Sequence, residues 1–256
     1  MALRLVSHPL TRGMNLDDPD TTIIRREIIK RKPFLRMIYE DWYREISLEI
    51  PDMQGQVLEI GSGAGFIDEH LPGVLTSDVL CLPGMSLVLD AHRLSFADLS
   101  LRAIVMTNVL HHLPAVSVFL REAARCVRPN GIIAMIEPWV TPWSKLIYTL
   151  LHHEPFSPMA REWEFSPVGA LSAANGALAW IIFSRDRSRF QLEFPEWKLE
   201  KIKPEMPFRY LAGGGLSTRS MMPRWTYHYW CGIERRLHMF MGSLGMFALI
   251  VLRRCW

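Results

Sequence analysis

One short segment constrains this chain more than any other. The apolar run Gln56-Val57-Leu58-Glu59-Ile60 leads directly into Gly61-Ser62-Gly63-Ala64-Gly65. A run of five such residues is the length of a buried strand. Three alternating glycines after it allow backbone angles that other residues avoid and let a ligand approach the main chain closely. In open α/β sheets, ligands collect at the carboxyl ends of the strands. The spacing is G-x-G-x-G, and Phe66 stands where a dinucleotide fingerprint G-x-G-x-x-G needs its last glycine. A pyrophosphate cradle is therefore disfavoured, and with it a nicotinamide-dependent oxidoreductase.

The rest of the chain supplies the sheet to which such a loop belongs. Val74–Asp78, Leu87–Asp90, Ala103–Asn108 and Ile132–Ile136 read as further strands, and Ala115–Val127 as a helix broken by Pro129-Asn130-Gly131. Short apolar strands alternating with turns and helices imply a doubly wound, mostly parallel sheet. Before it, helices are expected from a Thr21 cap through Ile28 and over Phe34–Leu48, the second with one apolar face. After Pro138 the regularity weakens. Helices are expected near 144–151, 173–182 and 227–240, with strands at Trp197–Lys203 and Met246–Leu252. The chain thus divides into an N-terminal helical cap (1–54), a core (55–138), and a substrate-covering segment with the last two strands of the same domain (139–256).

Asp78 ends the second strand and Asp90 the third, so both face the crevice of the glycine loop. A carboxylate at the first position can accept ribose hydroxyls. One at the second can accept an adenine amino group, with the Ala91 N–H offered to a ring nitrogen. Glu59 stands ready to orient an ammonium. Each acid alone would read as a solvated strand end; three around one loop are harder to dismiss.

The ordered set V-L-E-I-G-S-G-A-G-F, Asp78, Asp90-Ala91, Thr107-Asn108-Val109-Leu110-His111-His112-Leu113 and Arg128-Pro129-Asn130-Gly131 resembles the class I S-adenosylmethionine (SAM)-dependent methyltransferases. The likeness is greatest to the small-molecule branch related to ubiquinone and menaquinone methyltransferases. It implies a Rossmann-like, seven-stranded sheet with a reversed final hairpin, and SAM as cofactor. The implied cofactor contacts are Glu59, Gly61, Ser62, Gly63, Gly65, Asp78, Asp90, Ala91 and Asn108. Two departures stand out: Asp78 and Asp90 are too close for an intervening helix, and Arg102 replaces an acid often found at the start of the fourth strand.

Methyl transfer needs positioning and, for a protonated acceptor, a general base. Candidate groups are His112 (beside His111), His152, His153 and Glu137, with Tyr39 and Tyr43 as lid residues on the N-terminal helix. Each has a plainer reading. The histidines can be structural, Glu137 can satisfy nearby backbone donors, and the tyrosines can simply pack. His152-His153-Glu154 lacks a third ligand at metal spacing, so no metal is expected.

Tryptophan, methionine and arginine crowd the segment after residue 138. This suggests a hydrophobic small-molecule or lipidic acceptor. The basic amphipathic stretch 227–240 either packs on the domain or touches a membrane surface peripherally. The net charge is only +3, and there is no basic tail or Asn/Asp-Pro-Pro-Tyr motif, so nucleic acid is not an expected partner. The four scattered cysteines, the absence of an apolar leader in 1–14 and the absence of a spanning run lead to the expectation of a cytoplasmic protein, with the inner membrane surface as an alternative. A methyltransferase fold that binds SAM without turnover remains the competing reading.

Overall fold

A computed structural model describes residues 15, 17–151, 155–166, 169, 174–216 and 218–256. Its seven strands are β1 (Gln56–Ile60), β2 (Leu75–Asp78), β3 (Leu87–Val88), β4 (Leu101–Thr107), β5 (Val127–Pro138), β6 (Trp197–Glu205) and β7 (Phe247–Arg254). They form one sheet in the order β3-β2-β1-β4-β5-β7-β6. The first five pair in parallel, and β7 runs antiparallel to both β5 and β6. This is the mostly parallel, seven-stranded sheet with a reversed hairpin that the family resemblance implied.

The central strands are apolar on both faces because both faces are covered. Side chains alternate strictly along them. Ile104, Met106, Ile133, Met135, Ile250 and Leu252 face one core with Phe119, Phe183 and Phe190. Ala103, Val105, Ile132, Ala134, Leu249 and Val251 face the other with Trp42, Tyr43 and Ile46.

The first core is closed by α3 (Val116–Cys126) and by the helical segment α5 (Leu178–Trp180), a π turn (Ile181–Arg185) and α6 (Arg187–Glu193). The second is closed by α2 (Pro33–Glu49), whose apolar stripe Leu35, Ile38, Trp42 and Ile46 is wholly buried. Ahead of it lies α1 (Pro19–Arg31), which Asp18 caps by accepting the Asp20 N–H at 2.9 Å. The expected cap, Thr21, sits inside this helix instead. A proline at the first helical position after an aspartate is the stronger start.

Three helices expected of a doubly wound fold are missing. Between Gly65 and β2 there is only a 3-10 turn (Ile67–Glu69), because Pro72-Gly73 leaves no room for more. Residues 79–86 form turns, as the Asp78–Asp90 spacing required, and 89–100 carry no helix either.

The chain spends those residues elsewhere. After β5 comes α4 (Pro142–Leu151). Between β6 and β7 lies an elaborate excursion containing α7 (Arg209–Gly213), α8 (Tyr227–Arg236) and α9 (Met241–Leu244). The excursion is tied to α2 by Arg209, which donates to Asp41 and the Tyr227 hydroxyl at 2.7 Å each and to Glu234 at 2.5 Å. Glu234 in turn accepts the Phe208 and Arg209 amides. The expected helix over 227–240 breaks after Arg236 and ends in a 3-10 turn (His238–Phe240).

Candidate active site

The strand ends, α1, α2 and the two excursions enclose one cavity of about 420 Å³. That is the size of a small-molecule site. Its floor is the glycine loop. Gly61 and Gly63 adopt φ of +67° and +47°, a region other residues enter at a cost of about 1–2 kcal/mol. At Gly61 a Cβ would also lie 2.6 Å from a Val109 methyl. Gly61→Val should therefore lower stability by about 2–4 kcal/mol, measurable by urea denaturation.

The loop is clamped to β2. Ser62 donates its N–H to the Ser77 carbonyl at 2.8 Å and accepts the Ser77 N–H on its hydroxyl at 3.1 Å. The Ser77 hydroxyl donates to the Glu59 carbonyl at 2.7 Å. Asp78 accepts the Gly63 N–H at 2.9 Å and the Leu80 N–H at 2.9 Å. Burial pushes the Asp78 carboxyl up, and these amides hold it down in part. Tyr43 accepts the Phe66 N–H at 3.2 Å, and Arg26 donates to the Gly65 carbonyl at 3.3 Å. The loop is thus fixed from the strand side and from both N-terminal helices.

Glu59 is buried at the end of β1, and its Oε2 has no hydrogen-bond partner. Burial drives its carboxyl up from 4.5 to about 8, against the pull of the Ser62 hydroxyl and Arg26. Asp90 behaves differently. Its Oδ1 accepts the His92 N–H at 2.9 Å and faces His92 Nδ1 at 2.6 Å. Burial pushes this carboxyl up, but the His92 contacts outweigh it and leave it below the ordinary value. Asn108, at the end of β4, takes φ +58° and holds the Ile136 carbonyl through its N–H at 2.8 Å. All the expected cofactor contacts, Glu59, Gly61, Ser62, Gly63, Gly65, Asp78, Asp90, Ala91 and Asn108, line this one cavity.

The expected catalytic groups divide. His112 lines the cavity, as do Tyr39 and Tyr43. Burial raises both tyrosine hydroxyls, Tyr39 to about 12 and Tyr43 well above its ordinary value. Glu137 does not line it. Its Oε1 accepts the Val109 and Leu110 amides at 2.8 and 2.7 Å, and its Oε2 lies 2.6 Å from His111 Nδ1. Of its two sequence readings, the geometry carries the second: Glu137 satisfies backbone donors and holds the turn that presents His112. His152 and His153 lie outside the described residues.

Sequence reading missed several lining residues. Thr22 and Arg25 come from α1, His92 from the turn after β3, and Thr107 from the end of β4. The Thr22 and Thr107 hydroxyls and His92 Nε2 are buried without a hydrogen-bond partner, like Glu59 Oε2. Unsatisfied buried polar atoms are costly, and four of them belong to residues that line this one cavity. The lining also has an apolar and aromatic part: Tyr148 from α4, Tyr210 and Leu216 from the β6–β7 excursion, Pro138 and Phe247. Leu216 follows a glycine turn that Lys32 pins by donating to the carbonyls of Gly215 (2.7 Å) and Thr218. Burial lowers the Lys32 amine to about 8.

Residues 58–135 match the family described as "Methyltransferase domain". No curated protein matches the chain. Among solved structures, geranyl diphosphate C-methyltransferase from Streptomyces coelicolor A3(2) aligns at 10% identity, over 97% of this chain and 89% of that one, with a TM-score of 0.50. Another geranyl diphosphate methyltransferase, in complex with SAM, aligns at 12% identity over 97% and 96%, also at 0.50. A chain from the complex of the Haloferax volcanii Trm112 methyltransferase activator with a methyltransferase aligns at 12% over 95% and 100%, at 0.52. At such identities these structures speak for the fold alone. The matched segment, under a third of the chain, runs from β1 into β5 and closes on this cavity, so over that stretch the chain is similar to a methyltransferase domain.

Proposed function

We propose that this enzyme transfers a methyl group from SAM to a hydrophobic small molecule bound against the aromatic wall. The observation that carries the reading is the split character of the one cavity. Thr22, Glu59, His92 and Thr107, each carrying a buried polar atom without a hydrogen-bond partner, line it together with the glycine loop. Tyr148, Tyr210, Leu216 and Phe247 line it with side chains that are largely apolar.

The polar half fits the cofactor's chemistry. Glu59 offers a carboxylate for an ammonium, the glycine loop offers close main-chain approach, and Asp78 and Asp90 offer acceptors for hydroxyl and amino hydrogens. SAM supplies an electrophilic methyl group on a sulfonium. What remains for the protein is mostly placement. The aromatic wall excludes water and orients an apolar acceptor. His112, held by the turn that Glu137 fixes, is the ring placed to take a proton from an acceptor that must lose one. The solved geranyl diphosphate methyltransferases share this fold and act on an isoprenoid, which supports the substrate class without naming the substrate.

The test is transfer of labelled methyl from SAM to a panel of prenyl, aromatic and polar acceptors. Prenyl or aromatic acceptors should be methylated, and Leu216→Ala should raise their KM roughly tenfold for the lost apolar contact while SAM affinity stays within about twofold. Turnover confined to polar acceptors would overturn the assignment.

A further inference from the structure

The β6–β7 excursion has a second face, turned away from the cavity. Residues 224–240 run as one helical ribbon: a 3-10 turn (Arg224–Thr226), α8, and the 3-10 turn His238–Phe240. Tyr227 and Glu234 point inward and are buried. The outward stripe carries Trp225 (82% exposed), Tyr229 (72%), Met239 (82%) and Phe240 (60%). Three of the four exposed aromatics among the described residues are here; Trp256 is the fourth. The ribbon continues into α9, which packs on α4, and α4 adds exposed Leu146 and Leu150 to the same region.

Four large apolar side chains exposed within residues 225–240 make this segment a candidate contact surface. The charges around them say what kind. Arg224, Arg235 and Arg236 are all exposed along the ribbon, and Lys145 is exposed on α4. The one acid between residues 206 and 246, Glu234, is buried and held by Arg209. The described residues of α4 include no acid. These two segments therefore present aromatic and aliphatic tips among cations and, among their described residues, no exposed carboxylate. A second copy of the same face would bring like charges together. Trp, Tyr, Met and Phe bordered by arginine suit the boundary between anionic headgroups and acyl chains.

We propose that this face docks on an anionic lipid surface. The segments that carry it, α4 and the β6–β7 excursion, also line the apolar half of the cavity through Tyr148, Tyr210 and Leu216. Docking would hold that half beside the phase in which a hydrophobic acceptor dissolves. The docking inference stands on the surface itself and does not require the acceptor assignment.

The experiment is sedimentation of the full chain with vesicles of phosphatidylcholine alone and with phosphatidylglycerol added, at low and high salt. Two variants accompany it, Trp225→Ser/Phe240→Ser and Arg235→Glu/Arg236→Glu. Wild type should bind phosphatidylglycerol vesicles at least tenfold more tightly than neutral ones, with the preference shrinking as salt rises. Each variant should lose at least tenfold while keeping its SAM affinity, since none of these residues lines the cavity. Binding that is absent, or equal in wild type and variants, would overturn docking. So would a wild-type dimer in ultracentrifugation that both variants dissociate, because the face would then be a self-association surface. Vesicle binding without SAM binding would instead count against the methyl-transfer reading and leave docking intact.

Discussion

Glu137→Ala should cost about 3–5 kcal/mol of folding stability, although Glu137 touches neither cofactor nor acceptor space. The side chain is fully buried. It accepts the Val109 and Leu110 amides and faces His111, so its loss strands three polar groups where water cannot reach them. The same three contacts fix the turn that carries His112 into the cavity. Glu137→Gln keeps an oxygen for the two amides and should recover roughly half of the loss. Urea denaturation of both variants measures this. A loss below about 1 kcal/mol in the alanine variant would mean that the turn stands without its carboxylate.

The second large effect belongs to Glu59. In the ligand-free protein, burial holds its carboxyl up near 8. An ammonium placed beside it needs the carboxylate form, so binding a cationic ligand below that pH must expel a proton. Affinity for SAM should accordingly rise as the pH increases from 6.5 to 8, by about tenfold. Over the same range, calorimetry in buffers of different ionisation heat should show proton release. The sign for the unliganded fold is opposite. Because the folded value is raised, stability is greatest below the ordinary carboxyl value and falls as the pH climbs from 4.5 towards 8. Glu59→Gln should flatten both dependences and weaken SAM by about 10- to 100-fold, the worth of a charge-assisted hydrogen bond. Unchanged affinity and unchanged proton release in Glu59→Gln would remove Glu59 from the cofactor site.

What was legible in the sequence was what local backbone geometry dictates. Gly61 and Gly63 sit at positive φ, and Asp78 and Asp90 end or follow short apolar strands, so spacing alone located the loop and its acids. The order of apolar runs likewise pointed to a doubly wound, mostly parallel sheet, while its seven strands and reversed hairpin were what the family resemblance implied. The helix normally expected after a glycine loop was a local matter too. Only nine residues separate Gly65 from β2, and Pro72-Gly73 closes the turn. Long-range packing was not legible. Thr22 and Arg25 sit on a helix whose sequence carries no site pattern, and only its docking over the loop brings them to the cavity. Tyr148, Tyr210, Leu216 and Phe247 come from segments far apart in the chain. Ser77 reads as a plain strand residue, yet its three hydrogen bonds to Ser62 and Glu59 clamp the loop. Glu137 was readable as chemistry or as scaffolding, and only the positions of the Val109 and Leu110 amides decide between them.

The claim on which everything else depends is that the cavity above Gly61–Gly65 holds SAM. Titration calorimetry of the full chain with SAM and with S-adenosylhomocysteine, using Gly63→Arg as the control, addresses it directly. One site of about micromolar affinity is expected for each ligand, abolished in Gly63→Arg, where a bulky side chain at φ +47° would enter the cofactor space. No heat with either ligand, or equal binding in the control, would contradict it.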